Sequence, residues 1–144
     1  MYINQIKPMV KANLDEVISW RRHFHEFPEL SFEEFETSKF ISEKLNKMGF
    51  EVKNNVGGTG VIATFDSGIG GPNIAFRADM DALPILEDTG LEFESKNHGV
   101  MHACGHDCHM AILLGTAFMI SQMKDSFKGT IKFIFQPGEE ANGG

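Results

Sequence analysis

The sequence is organised around the stretch His102-Ala103-Cys104-Gly105-His106-Asp107-Cys108-His109. Both cysteines of the chain and three of its six histidines lie within it. Thiolate, imidazole and carboxylate are the groups that bind zinc and its neighbours in the transition series. Gly105 allows the backbone to bend, so that Cys104 and His106 can face one ion. The stretch therefore predicts a metal site.

A closed structural site is the alternative to a catalytic one. A small, non-catalytic metal-binding module would use a tetrad of Cys104, His106, Cys108 and His109. Structural zinc sites usually combine two short Cys/His pairs, and the sequence has no second pair elsewhere. A helix that starts near Asp107 would also make it hard for all four side chains to converge. A site with an open coordination position is the favoured interpretation.

The residues that follow this stretch predict a largely buried helix, so the metal-binding side chains would lie at a helix N-terminus. Unpaired N–H groups and the helix dipole favour a thiolate there, which would help Cys104 to bind metal. The apolar positions that indicate the helix are Met110, Ile112, Leu113, Leu114, Ala117, Phe118, Ile120 and Met123.

The segments before and after this stretch are predicted to form four strands, and carboxylates follow two of them. Residues 50–53 and 60–65 are two short strands, and residues 73–78 and 129–135 are two more. Asp79 and Asp81 directly follow the third strand, and Glu139 and Glu140 follow the fourth. Open α/β sheets place their chemistry beyond the carboxyl ends of their strands. An equally good interpretation is that Asp79 and Asp81 only cap a loop.

Two helices are predicted ahead of the strands. Apolar residues recur at helical spacing over residues 3–27, and Pro28 ends this helix. A second helix is expected to start at Ser31 and to close at Gly49. The complete pattern predicts an α/β fold, with a mixed sheet flanked by helices.

Other polar residues have simpler interpretations. His23 and His25 are expected to lie near the last carbonyl groups of the first helix rather than to bind metal. Residues 87–97 predict a polar surface segment that borders the site. Residues 136–144 have a loop-like composition with no closing helix or strand.

Composition limits the class of protein. A chain of 144 residues with 42% hydrophobic content is long enough for one domain or part of one. Its net charge of −7 argues against a nucleic-acid partner. The sequence has no apolar run of about 18 residues and no signal-peptide pattern at its start, so a cytoplasmic protein is expected. Two closely spaced cysteines fit reduced thiols.

The candidate residues together suggest hydrolysis. A catalytic metal needs an open position for water and a nearby carboxylate that takes the proton of that water. Cys104, His106 and one of Glu139 and Glu140 could bind the metal, while the other glutamate acts as general base. Asp107 could be a ligand or could orient an imidazole.

Four stretches carry a resemblance to a known family. Residues 21–31, 76–85, 99–107 and 133–140 resemble, in order, the four N-terminal motifs of the hippurate hydrolase and N-acyl-amino-acid amidohydrolase family of metallopeptidases. Indole-acetyl-amino-acid hydrolases and N-acetyldiaminopimelate deacetylases are relatives in this family. The match extends over nearly the whole chain.

The resemblance implies an activity and a division of roles. It implies metal-dependent hydrolysis of the amide bond of N-acyl amino acids, with two divalent ions, zinc or manganese, in a di-metal aminopeptidase-like catalytic domain. Glu139 would be the general base, and the catalytic aspartate would be either Asp79 or Asp81. The implied metal ligands are Cys104, His106 and Glu140.

The resemblance also implies a longer protein. Members of the family carry a second domain that mediates dimer contacts, and they draw further histidine ligands from beyond the Glu139–Glu140 motif. Residues 1–144 resemble the N-terminal part of the catalytic domain. We therefore expect a truncated chain that is inactive alone, with a small-molecule substrate and with homo-oligomers only for the full-length protein.

Overall fold

The computed structural model describes residues 3–142 and confirms the predicted α/β class. Each predicted helix and strand is present, with bounds that differ by a few residues at most. The elements in chain order are α1 (Ile3–Glu26), α2 (Phe35–Lys47), β1 (Glu51–Val56), β2 (Gly60–Asp66), β3 (Asn73–Asp79), α3 (His106–Ser121), a 3₁₀ turn (Lys124–Ser126), β4 (Thr130–Gln136) and α4 (Glu139–Asn142).

The four strands form one mixed sheet in the order β1-β2-β4-β3. The β1–β2 and β2–β4 pairs are antiparallel, whereas β3 and β4 are parallel. The last pair of the parallel ladder joins Asp79 to Gln136. The carboxyl ends of β3 and β4 therefore lie side by side, and the residues that follow both strands emerge at the same edge of the sheet.

One hydrophobic core joins one face of the sheet to α1, α2 and α3. Alternate strand residues such as Val61, Ala63 and Phe133 point into it, as the two-residue period of a strand requires. The opposite face carries half-buried or exposed residues, for example Ile62 and Lys132. Among the described residues the long helices thus cover one face of the sheet, and α3 is buried between that face and α1.

The second helix begins later than the sequence indicated. It starts at Phe35 instead of Ser31, because the Ser31 hydroxyl donates to Asp81 Oδ2 at 2.7 Å rather than capping the helix. The carboxylate of Glu29 accepts the N–H groups of Glu36 and Thr37, at 3.1 and 2.8 Å. These bonds satisfy two of the free donors at the helix start.

Two predicted loop regions are also different in the structure. Glu87 is only 6% exposed, so the polar segment 87–97 is not entirely a surface segment. Residues Glu139–Asn142 form a single helical turn where a loop was expected. No helix within residues 3–142 is long and apolar enough to cross a membrane.

Candidate metal centre

Three potential metal ligands lie together at the sheet edge where β3 and β4 end. Cys104 Sγ, a ring nitrogen of His106 and a carboxylate oxygen of Glu140 all lie within 4.8 Å of one another. His106 is the first residue of α3, Cys104 precedes it by two residues, and Glu140 belongs to α4. The fold therefore joins the central stretch of the sequence to the glutamates that follow β4.

The His106 ring is held in one orientation. It is 4% exposed, and its Nδ1 atom lies 2.9 Å from the backbone oxygen of Asp81. A carbonyl oxygen only accepts hydrogen bonds, so Nδ1 carries the proton and donates it. The Nε2 atom then presents its lone pair to the site, which is how a metal-binding histidine is usually arranged.

Both glutamates of α4 face this lone pair. The Nε2 atom of His106 lies 3.8 Å from Glu139 Oε2 and 3.9 Å from Glu140 Oε1. Glu140 Oε1 is buried and has no hydrogen-bond partner among the described residues. A buried acceptor without a donor is costly unless a cation or another group satisfies it. Sulfur, nitrogen and oxygen donors around such an acceptor fit a divalent transition-metal ion.

The thiol of Cys104 does not behave as the helix-dipole prediction implied. A hydrogen bond to the Glu140 carboxylate raises the pKa of Cys104, and burial and the nearby charges of Glu139 and Asp81 raise it further. These carboxylates oppose the lowering of the pKa that the helix N-terminus would cause, because they disfavour a second negative charge beside them. Thiolate formation would depend on a bound cation.

The two aspartates at the end of β3 have different surroundings: Asp79 is the last residue of the strand, and Asp81 follows it by two positions. Asp79 Oδ1 accepts hydrogen bonds from Arg77 at 2.9 and 2.7 Å, along the edge of the sheet. Asp81 is 1% exposed, and its Oδ2 accepts the Ser31 hydroxyl and the Glu140 N–H, at 2.7 and 2.8 Å. Its Oδ1 lies 3.4 Å from His106 Nδ1. Asp81 therefore contacts two members of the candidate site, whereas Asp79 pairs with Arg77.

The closed tetrad is not assembled among residues 3–142. Cys104, His106 and Glu140 are the group of potential ligands that comes together there, and Cys108 and His109 are not part of it. Cys108 instead lines a groove together with Arg21 and Ile112. The turn of the helix after His106 directs Cys108 away from the cluster, whereas the His109 ring lies beside the His106 ring with centroids 5.9 Å apart.

His102 is buried beside the site without an evident role. It is 4% exposed, and neither ring nitrogen has a hydrogen-bond partner within the described part of the chain. Burial lowers the pKa of His102 to about 4. The imidazole is therefore neutral near pH 7.

A buried charge network adjoins the site, and the sequence did not reveal it. His25 Nδ1 lies 2.7 Å from Asp107 Oδ2, and His25 Nε2 lies 3.0 Å from Glu87 Oε1. Arg21 Nε lies 2.9 Å from the same oxygen of Asp107. His25 thus bridges two buried carboxylates and does not contact helix-end carbonyls, and Asp107 orients His25 rather than His106. The available signal was the pair of Arg21 and His25, which lie four positions apart and therefore on the same face of the helix.

Comparison with known proteins matches part of the chain to a family. The family model described as "Peptidase family M20/M25/M40" matches residues 75–144, which include every member of the candidate site. Residues 75–144 therefore belong to a domain of this family. Thermostable carboxypeptidase 1 of Saccharolobus solfataricus is 49% identical over 142 residues. The match covers 98% of the chain and 36% of the carboxypeptidase.

Two further relatives are similar to the chain, one in sequence and one in structure. N-acetyl-L-cysteine deacetylase of Bacillus subtilis is 52% identical over 129 residues, or 90% of the chain and 31% of the deacetylase. The crystal structure of the Bacillus subtilis YXEP protein, described as a dinuclear metal binding peptidase, superposes with a TM-score of 0.85 at 50% identity. That superposition covers 90% of the chain and 36% of YXEP. The chain spans about a third of the length of the curated relatives it matches.

Proposed function

We propose that the protein carrying this chain hydrolyses the amide bond of N-acyl amino acids, releasing a carboxylic acid and an amino acid. The observation that carries the proposal is the cluster of Cys104, His106 and Glu140, together with a second carboxylate 3.8 Å from the same imidazole nitrogen. That second carboxylate belongs to Glu139. A relative named N-acetyl-L-cysteine deacetylase supports the substrate class. Hippurate and N-acetyl amino acids are the substrates we propose to test.

The roles follow from the position of each group. Cys104, His106 and Glu140 would hold a divalent ion, zinc or manganese, because their donor atoms converge and Glu140 Oε1 lacks another partner. When bound, the ion would polarise the amide carbonyl and make a water molecule acidic enough to attack near neutral pH. A second ion is proposed from the dinuclear site of the relative YXEP. Its remaining ligands would come from outside residues 1–144.

Glu139 would carry the proton between water and leaving group. Its side chain is 40% exposed, so a substrate and a water molecule can reach it, whereas Glu140 is more buried at 18%. Glu139 would take a proton from the water as the new C–O bond forms. It would return that proton to the nitrogen as the C–N bond breaks, so that a neutral amine leaves. Asp81 would act on this site through His106, and we propose it as the catalytic aspartate in preference to Asp79.

We also propose that residues 1–144 are the N-terminal part of a metal-binding catalytic domain and are inactive alone. The relatives are about three times as long as the matched region, and two ions need more ligands than the three that come together among residues 3–142. Turnover of N-acetyl amino acids, hippurate and dipeptides with a free amino group should be measured for the protein made from the complete reading frame and for the 144-residue chain. Turnover by the longer protein supports the proposal. Turnover of dipeptides alone would overturn the substrate class, and turnover by the short chain would overturn its inactivity.

Glu140→Ala is expected to weaken zinc binding by at least about tenfold. Removal of a side chain that only hydrogen-bonds to a metal ligand already has an effect of that size, and Glu140 is itself a proposed ligand. Isothermal titration of the protein with zinc is the measurement. Cys108→Ser is the matched control, since Cys108 lies outside the cluster. The closed tetrad predicts the reverse result: Cys108→Ser would weaken zinc binding, and Glu140→Ala would leave it unchanged.

Asp81→Asn is expected to lower kcat/KM by about 10- to 100-fold, because the neutral amide removes the negative charge that lies 3.4 Å from His106 Nδ1 and is a weaker acceptor for the Ser31 hydroxyl and the Glu140 N–H. Asp79→Asn removes an ion pair with the half-exposed Arg77, and such pairs contribute about 0–1 kcal/mol. Its kcat/KM should stay within about threefold of the wild-type value. Steady-state kinetics of the two variants, side by side, test the choice. A larger loss from Asp79→Asn would reverse the assignment.

A further inference from the structure

A buried glutamate far from the candidate ligands in sequence contacts the turn that carries two site residues. Glu34 is 0% exposed and directly precedes α2. Its Oε1 accepts the N–H of Gly138 at 3.0 Å, and its Oε2 accepts the hydroxyl of Thr59. Gly138 lies 104 positions further along the chain and directly precedes Glu139. Both carboxylate oxygens are therefore used.

The start of α2 does not explain why Glu34 is a glutamate. Its side chain makes no capping hydrogen bond to α2, although it occupies the position where a cap would lie. The carboxylate of Glu29 accepts the first N–H groups of that helix instead. Burial of a carboxylate is unfavourable unless charge-assisted hydrogen bonds compensate for it. Those that Glu34 makes are directed at the Gly138 turn and at Thr59.

The turn is also constrained by packing. Gly138 has a φ of +70°, and a Cβ atom there would collide with the ring of Phe32, two residues before Glu34. Phe32 itself adopts a φ of +65°. A β-carbon on Gly60 would similarly meet Pro137 at 2.9 Å. The loop before α2 and the start of β2 thus both pack against the turn.

Two carboxylates hold the backbone on either side of Glu139. Glu34 accepts the N–H of residue 138, and Asp81 accepts the N–H of Glu140 at 2.8 Å. These two hydrogen bonds hold the backbone before and after Glu139, and so they hold the backbone from which its side chain extends. From this backbone, the carboxylates of Glu139 and Glu140 lie 3.8 and 3.9 Å from His106 Nε2.

We propose that Glu34 is a positioning residue for the candidate site: its hydrogen bond to Gly138 holds the turn that presents Glu139 and Glu140. This inference rests on the proposed function for the role of Glu139, but the position of the metal ligand Glu140 can be tested without turnover. Glu34 does not touch the reacting atoms, so its effect passes through the backbone of the turn.

The experiment compares Glu34→Ala, Glu34→Gln and a control, Glu29→Ala, in the protein made from the complete reading frame. Gln retains an oxygen for the Gly138 N–H, and its amide can donate to the Thr59 hydroxyl, which accepts as well as donates. Glu29→Ala also removes a carboxylate that accepts two backbone N–H groups, but those belong to α2. The readouts are kcat and KM, the affinity for Co²⁺, the thiolate-to-cobalt charge-transfer band, and the melting temperature.

Glu34→Ala should lower kcat by about 10- to 100-fold with little change in KM, and should weaken Co²⁺ binding by about tenfold. Glu34→Gln should restore most of both. Glu29→Ala should lower the melting temperature while leaving kcat and Co²⁺ affinity unchanged. Equal behaviour of Glu34→Ala and Glu29→Ala would overturn the proposal, and so would a Glu34→Gln variant as impaired as Glu34→Ala.

A second variant covers the case in which Glu34→Ala does not fold. Thr59→Val removes the hydroxyl that orients the Glu34 carboxylate, and it preserves the volume of the side chain. It should weaken Co²⁺ binding by about threefold or more and alter the charge-transfer band, because the Glu34–Gly138 bond is less constrained. An unchanged affinity and spectrum would overturn the proposal. If the wild-type protein hydrolyses no N-acyl amino acid, the proposed function fails, while the Co²⁺ measurements still decide the role of Glu34.

Discussion

Glu139→Gln is expected to lower kcat for N-acyl amino acid hydrolysis by about 100- to 10,000-fold, the range contributed by a general base. Gln has nearly the same shape as Glu but cannot take a proton from water. The Glu139 carboxylate is partly exposed and lies 3.8 Å from His106 Nε2, so it borders the candidate metal position without being buried in it. Steady-state kinetics of the protein made from the complete reading frame measure the loss.

Metal affinity separates a base from a ligand in this experiment. Zinc titration of Glu139→Gln should give a dissociation constant close to that of the wild-type protein, whereas Glu140→Ala should weaken it. A Glu139→Gln variant that keeps kcat within tenfold of wild type contradicts the general-base role. A variant that loses zinc as Glu140→Ala does would make Glu139 a ligand.

His25→Ala is expected to lower the free energy of unfolding by about 3–5 kcal/mol, the typical cost of removing one partner from a buried charged pair. The His25 side chain is 4% exposed and lies between the carboxylates of Asp107 and Glu87, whose side chains are 1% and 2% exposed. Without the imidazole, these two carboxylates lose a shared donor and repel each other. Urea denaturation of the chain, followed by the fluorescence of its single, buried tryptophan, is the measurement.

His23→Ala provides a matched control on the same helix. His23 is half-buried and stacks on Phe40 with ring centroids 4.2 Å apart, and burial lowers its pKa, so it packs as a neutral ring. Loss of such an aromatic pair costs about 1 kcal/mol. Equal losses from His25→Ala and His23→Ala would show that the network around His25 contributes no more than ordinary packing.

The elements of the fold were predictable because their signals are local. Apolar residues at helical spacing identified α1 and α3, and short apolar runs between turn residues identified the four strands. The start of α2 was not predictable in the same way. Ser31 is a good capping residue, but its hydroxyl instead binds Asp81, which lies 50 positions away.

The candidate site was partly predictable for a similar reason. Cys104 and His106 lie two positions apart, and their grouping is visible in the chain itself. The sequence could not distinguish Asp79 from Asp81, since both follow the same strand. The structure separates them through their neighbours, because Asp81 contacts Ser31 and Glu140 whereas Asp79 pairs with Arg77.

By itself, the sequence determined the α/β class, the approximate position of each strand and long helix, and the family resemblance, since all three depend on residues close together in the chain. Only the tertiary structure decided which polar groups meet. The Glu34–Gly138 bond and the His25–Asp107 pair join residues 104 and 82 positions apart. Such pairs form because burial forces each polar group to find a partner, and the packing of the helices on the sheet determines which partner lies within reach.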